Sequence, residues 1–301
     1  MERRGQAVGV ALVLLSTLGF GAVPTLTRLA FDAGINVPTA LALRFGATAL
    51  LAWPFLLIRR QGGLPRRRVA GLALTGLVFA ANSSTFFLAV RLAPAASVAV
   101  IFYCYPAIVV LLSMVFLGER LTPIRAGALA LAMTGCLLTL GVSLSGADAR
   151  GMALSLLSAA LYAVYIVLSS RFARDLPVTV ASTWIISAVA LTFLGYALVS
   201  HSLDLGFPVR GWVVMASMVL LATVVAVYAF LGGVLRLGPS GAAIVGTVEP
   251  VVAVGLAAAI LGDRLGPAQL VGGLAILAAV LALRLPGANP APLPSPAPSS
   301  D

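Results

Sequence analysis

The segments "GERLTPIRAGALALAMTG", Gly118 to Gly135, and "GDRLGPAQLVGGLAILAA", Gly262 to Ala279, are two copies of one pattern. They lie 144 residues apart, and the register holds without a gap back to Pro106 and Pro250. Upstream, "RLAP" at Arg91 answers "RLGP" at Arg236 with one residue of slippage, and "GVALVLLS" from Gly9 answers "GMALSLLS" from Gly151. The chain is therefore built from two homologous halves.

What each half is follows from its apolar content. Of 301 residues, 61% are hydrophobic and 9% charged. Soluble domains carry roughly 45–50% apolar and about 25% charged residues, so a soluble fold would have nothing to make its surface from. A bilayer-spanning helix needs about 20 mostly apolar residues, and ten such stretches are predicted: 7–30, 37–58, 69–90, 95–117, 123–144, 151–170, 178–200, 211–235, 240–261 and 267–285. Each half holds five. Five is odd, so the second half enters the membrane inverted relative to the first, the repeat architecture of many secondary transporters. The expected fold class is an all-α polytopic membrane protein of two inverted five-helix repeats. Its parts would be an N-terminus of residues 1–6, repeats at 7–144 and 151–285, and a Pro-rich disordered tail at 286–301.

All 19 basic residues are arginine. With the N-terminus placed inside, 13 arginines fall on the cytoplasmic side and 5 on the other, the cluster between the second and third spans contributing most. The positive-inside rule then puts both termini in the cytoplasm. The net charge of +10 reads as topology, and no nucleic-acid partner is implied. Cys104 and Cys136 both sit in apolar runs and are expected to be reduced packing residues. The apolar run after "MERRGQ" lacks a clear cleavage site and reads as a retained first span.

The paired "G-[ED]-R-L-x-P" elements with an upstream "E-P", in "GTVEPVVAVGLAAAILGDRLGPAQLVGGLAILAAVLAL" and "YPAIVVLLSMVFLGERLTPIRAGALALAMTG", resemble the repeats of the drug/metabolite transporter superfamily. The similarity is to EamA-type ten-helix exporters and, within them, the YddG-like amino-acid exporters, over residues 7–285. The resemblance implies a pseudo-symmetric bundle with a central cavity, alternating access, and export of small metabolites across a bacterial inner membrane.

Glu249 is the acidic residue placed deep in a span. A charged side chain at the centre of a helix costs about 2.5–3.5 kcal/mol on insertion scales, so something must offset it. A proton site, a partner for a substrate amine, and a hydrogen-bonded lock between helices all fit. The adjacent Pro250 leaves the carbonyl of Gly246 without its usual donor and kinks the helix, and Pro106 does the same at Phe102 in the other half. The two are read as paired hinges.

The sixth span carries Ser155, Ser158, Tyr162, Tyr165 and Ser169 at steps of three and four, one polar face. Close packing through hydroxyl residues would explain the serines. Tyrosines are too bulky for such a seam and favour a cavity wall. Phe20, with Ser16 and Thr27, marks the facing side of the first span. Phe79, Asn82 and Phe86 share a face of the third, where the amide either orients a zwitterion or bonds a neighbouring helix. Tyr103 and Tyr105 flank the Pro106 kink, and Tyr105 occupies the repeat position of Glu249. Tyr228 completes the expected substrate-binding set. Arg44, about 10 Å into the second span at 1.5 Å per residue, either snorkels, makes a structural pair, or reads a carboxylate. No phosphate loop, metal-ligand cluster or catalytic constellation is legible, so no enzyme activity, cofactor or metal is expected. One deep arginine is thin provision for phosphate esters. These readings converge on a secondary exporter of small metabolites, foremost amino acids with aromatic or apolar side chains. The alternatives are a broad drug or cation exporter using Glu249 as charge partner, or a membrane scaffold that moves nothing.

Overall fold

A computed structural model describes residues 2–93, 95–141, 148–261 and 266–283. The helices in chain order are α1 (Glu2–Gly21), α2 (Val23–Asp32), α3 (Val37–Ile58), α4 (Arg66–Leu92), α5 (Ala95–Phe102), α6 (Tyr105–Leu117), α7 (Pro123–Leu140), α8 (Ala149–Phe172), α9 (Val178–Val199), α10 (Val209–Val219), α11 (Ala226–Gly246), α12 (Glu249–Leu256) and α13 (Pro267–Ala282). Two π-helical turns, Leu220–Val225 and Ala257–Leu261, follow α10 and α12. The tail at 286–301, together with Asp263, Arg264 and Arg284, lies outside the described residues.

These helices make ten passages. The first span is α1 plus α2, offset at Ala22 ahead of Pro24. The fourth is α5 plus α6. α10, its π turn and α11 run as one helix until Gly238, whose φ of 75° and ψ of 163° leave helical space. A φ that positive suits glycine, and Pro239 then restarts the helix as the ninth span. Starts are capped locally: Asn36 accepts from the Thr39 N–H at 2.8 Å, and Asp148 from the Arg150 N–H at 2.7 Å. The structure extends several helices past their apolar runs. α1 already begins at Glu2, and α4 starts in the arginine cluster at Arg66. Backbone bonding continues into the headgroup zone, whereas apolarity reports only the hydrocarbon core.

The packing shows the two-fold relation between halves. The first span lies on the eighth, the third on the sixth, the second on the seventh and the fifth on the tenth. Exchanging each span with its homologue five places on leaves this set unchanged. The close contacts repeat too. Gly9 approaches Leu237, where an added Cβ would come within 2.8 Å of Leu237 Cγ, and its homologue Gly151 approaches Ala93, within 2.7 Å of Ala93 Cβ. Leu237 follows Arg236 just as Leu92, the other neighbour of Gly151, follows Arg91. In lipid, helices are held by such close approach and by hydrogen bonds, since lipid tails are as apolar as leucine. Gly135 and Gly272 do the same for α7 and α13, each within 2.7 Å of the other's carbonyl oxygen measured from an added Cβ.

Candidate functional site

The fourth and ninth spans break at the same repeat position. α5 ends at Phe102, Tyr103 and Cys104 leave the helix, and α6 resumes at Tyr105–Pro106. α11 ends at Gly246, Thr247 and Val248 leave the helix, and α12 resumes at Glu249–Pro250. Both breaks are bridged by tight i→i−3 bonds: Cys104 N–H to Ile101 O at 3.0 Å, and Val248 N–H to Val245 O at 3.2 Å. Proline supplies no N–H and its ring crowds the preceding turn, so each helix is restarted rather than bent.

Aromatic rings fill the space beside these breaks. Tyr105 and Tyr162 meet edge to face with centroids 4.9 Å apart, and Phe102 lies 5.5 Å from both. Tyr162 stacks on Tyr165 at 5.7 Å and on Phe230 at 6.3 Å, and Phe230 meets Phe20 at 6.0 Å. Phe79 contacts Tyr165 at 4.8 Å, while Phe86 touches Phe102 at 5.2 Å. Such spacings are those of favourable offset and edge-to-face pairs. The first, third, fourth, sixth and eighth spans each contribute a ring.

The ninth contributes Glu249, whose carboxyl group lies beside the Tyr103 hydroxyl across the break of the fourth span. The carboxylate therefore faces the other half at the seam between homologous spans. The mirror-image pair is not made. Tyr103's homologue, Thr247, donates to Ile244 O of its own helix at 2.6 Å.

Other side chains from the sequence set go elsewhere. Asn82 donates through Nδ2 to both Ser158 O and Ser158 Oγ at 2.9 Å, and Ser158 Oγ returns a bond to Asn82 O at 3.1 Å. Ser155 donates to Val98 O at 2.7 Å. The polar stripe of the sixth span thus divides, its first serines tying neighbouring helices and its tyrosines joining the rings. Tyr228 stands apart from the rings and hydrogen-bonds Thr183 of α9 at 3.0 Å. Phe102 and Phe230 belong to the ring group, and sequence reading passed over both. In "VYAFLGG" the polar tip of Tyr228 drew attention, although two residues of helix turn it to roughly the opposite face from Phe230.

Arg44 makes a structural tie. Its Nε donates to Thr223 Oγ1 at 2.7 Å and an Nη to Ala222 O at 2.6 Å, both in the first π turn, and its guanidinium lies 5.1 Å over the Phe45 ring. At 6% exposure it does not snorkel to the interface. Cys104 and Cys136 are free thiols.

Residues 7–141 and 149–285 each match the profile of the EamA-like transporter family. The chain is 30% identical over 207 residues to a protein of Ancylobacter novellus named aromatic amino acid exporter YddG, spanning 64% of this chain and 66% of that one. It is 30% identical over 273 residues to an uncharacterized transporter of Archaeoglobus fulgidus, spanning 91% and 95%. A solved crystal structure superimposes with a TM-score of 0.76 at 21% identity over 93% of this chain and 96% of that one, a likeness of fold.

Proposed function

The chain belongs to the EamA-like transporter family, a multi-pass membrane fold handling small molecules, and from that premise we propose that it exports amino acids with aromatic or apolar side chains by alternating access. One observation carries this reading: rings from five spans gather beside one half-buried carboxylate where two homologous spans are broken. Rings would cover an apolar side chain, and the Glu249–Tyr103 pair would face its ammonium group. Phe20, Phe79, Phe86, Tyr103, Tyr105, Tyr162 and Tyr165 are the residues proposed to touch cargo. Asn82 and Tyr228 act at one remove, through Ser158 and Thr183. Breaks at Pro106 and Pro250 allow the halves of each span to tilt without stretching helical bonds, which suits rocking of 7–144 against 151–285. Similarity to a bacterial exporter favours an inner membrane location, and the arginine distribution favours both termini cytoplasmic.

A second reading is favoured by the same carboxylate. A negative charge beside ring faces also suits organic cations, so a broad cation exporter fits. The deciding experiment is flux into liposomes holding the full-length protein, with amino acids, quaternary ammonium ions and phosphate esters offered with and without a pH gradient. Saturable flux of phenylalanine-like amino acids is expected. Flux of phosphate esters alone would overturn the proposal. Flux of nothing would favour a scaffold. If Glu249→Gln abolishes cation flux and spares neutral amino acids, the cation reading stands.

A further inference from the structure

A cavity of about 690 Å³ lies at one end of the bundle, away from the rings, between the end of the fourth span, the turn joining the sixth and seventh, and the turn joining the eighth and ninth. Its size falls within the roughly 300–1,000 Å³ of small-molecule sites. Four charged side chains line it, Glu119, Arg174, Asp175 and Arg236, alongside an apolar wall that includes Val178 and Val234. Arg174, Asp175 and Arg236 are exposed, and Asp175 holds a φ of 65°, a left-handed conformation uncommon outside glycine. Glu119 is the less exposed acid, 3.7 Å from Arg125, with an oxygen against the backbone of Gly238.

The position of the cavity matters as much as its lining. Val234 lies four residues beyond Phe230 on the eighth span, and Ser170, another lining residue, lies eight beyond Tyr162 on the sixth. Four residues make about one turn, roughly 6 Å along a helix. The cavity therefore sits on the same two helices as the stacked Tyr162–Phe230 pair, one to two turns toward the end where the arginine count places the cytoplasm.

We propose that this cavity is a loading site for zwitterions with an apolar side chain, and that the Tyr162–Phe230 pair is the barrier between it and the ring-lined centre. The inference rests on the export reading above. Two arginines offer a carboxylate partner, two acids offer an ammonium partner, and the apolar wall takes the side chain. An amine or an acid alone meets half of this set and a like charge beside it, so both charges on one small molecule are required for full occupancy.

The test is reagent protection on the full chain, with Cys104 and Cys136 replaced by serine and Val178→Cys as reporter. A membrane-impermeant thiol reagent is applied at 4 °C to the arginine-rich side, with L-phenylalanine, phenethylamine or 3-phenylpropionate as protectant. L-phenylalanine is expected to slow labelling at concentrations at least fivefold below either analogue. In an Arg174→Gln, Arg236→Gln background its protecting concentration should rise at least fivefold, and Asp175→Asn alone should raise it severalfold. Phe230→Ala is expected to change flux and leave protection in place. Normal L-phenylalanine flux with no protection would overturn the loading site and leave the export reading intact. Equal protection by all three compounds would overturn the zwitterion assignment. Protection and flux both absent would sink the export reading and the loading site together.

Discussion

The broken fourth span and the broken ninth are homologous to the residue, and they differ in the side chain that restarts the helix. Tyr105 stands in one and Glu249 in the other, each followed by proline. The break is common architecture, because proline in either copy denies the turn its bond. The chemistry is one-sided: Tyr103 reaches over to Glu249, while its homologue Thr247 bonds within its own helix. A second contrast lies in the paired interfaces. The third span is tied to the sixth through Asn82 and Ser158. In the homologous pair, Val227 takes the position of Asn82 by the Arg91–Arg236 register, and Ser16, the homologue of Ser158, turns to Val13 O of its own helix at 2.6 Å. Duplication supplied the scaffold twice, and these polar contacts between spans occur in one copy of each pair.

The largest expected effect comes from erasing the first contrast. Tyr105→Glu would place a second carboxylate near Glu249 with no cation to meet it, and an uncompensated buried charge costs about 3–5 kcal/mol. Little folded protein should survive size-exclusion in detergent. Glu249→Tyr, the reverse change, should keep the fold and lower flux at least tenfold. Equal tolerance of both swaps would mean that the two breaks are interchangeable.

Next comes the π turn of the eighth span, for which the homologous third span has no counterpart among the described residues. Arg44→Met leaves Thr223 and Ala222 O without their charged donor, and hydrogen bonds to charged groups contribute about 1.5–3 kcal/mol. The thermal unfolding midpoint should fall clearly, and Arg44→Lys should restore part of it. An unchanged midpoint for Arg44→Met would show that the π turn stands without its clamp.

The homologous glycines separate more finely. Overpacking a tight contact costs about 1–3 kcal/mol. At Gly151 an added methyl would meet Ala93 Cβ, fixed to its backbone, and backbone atoms of Ala93 and Leu92, whereas at Gly9 it meets side-chain atoms of Leu237 and Arg236. Backbone yields less, so Gly151→Ala should lower the unfolding midpoint more than Gly9→Ala. The opposite order would show that the fold relaxes at the Gly151 side. The smallest effect is expected from Asn82→Val, which copies the other interface. Polar ties between membrane helices average about 0.6 kcal/mol and reach about 1.7, so the loss should sit near the lower end of what thermal unfolding resolves. A drop as large as that of Arg44→Met would give Asn82 a role beyond tying two helices.

Particular residues show how far sequence carried. Phe79, Tyr162 and Tyr165 were legible because aromatic residues recur on one face of the third and sixth spans, Phe20 because it shares a face with Ser16 and Thr27, and Tyr105 because it flanks the Pro106 kink, and they do come together. Phe102 gave no such signal, since it stands at the end of α5 where the helical period stops counting. Phe230 was hidden behind Tyr228, because a polar tip draws attention and the orientation of a span around its own axis is not written in its composition.

The membrane class, the duplication, the inversion and the place of both helix breaks were determined by sequence alone. Each depends on something local or countable: the length of an apolar run, an odd number of spans, a proline that has no N–H. The partners were decided only in three dimensions. That Glu249 meets Tyr103, that Asn82 closes on Ser158 and that Arg44 clamps a π turn 179 residues away in sequence all depend on which helix arrives beside which, and turned to what angle. Those angles are set by close packing at glycines and by the gain from pairing buried polar groups.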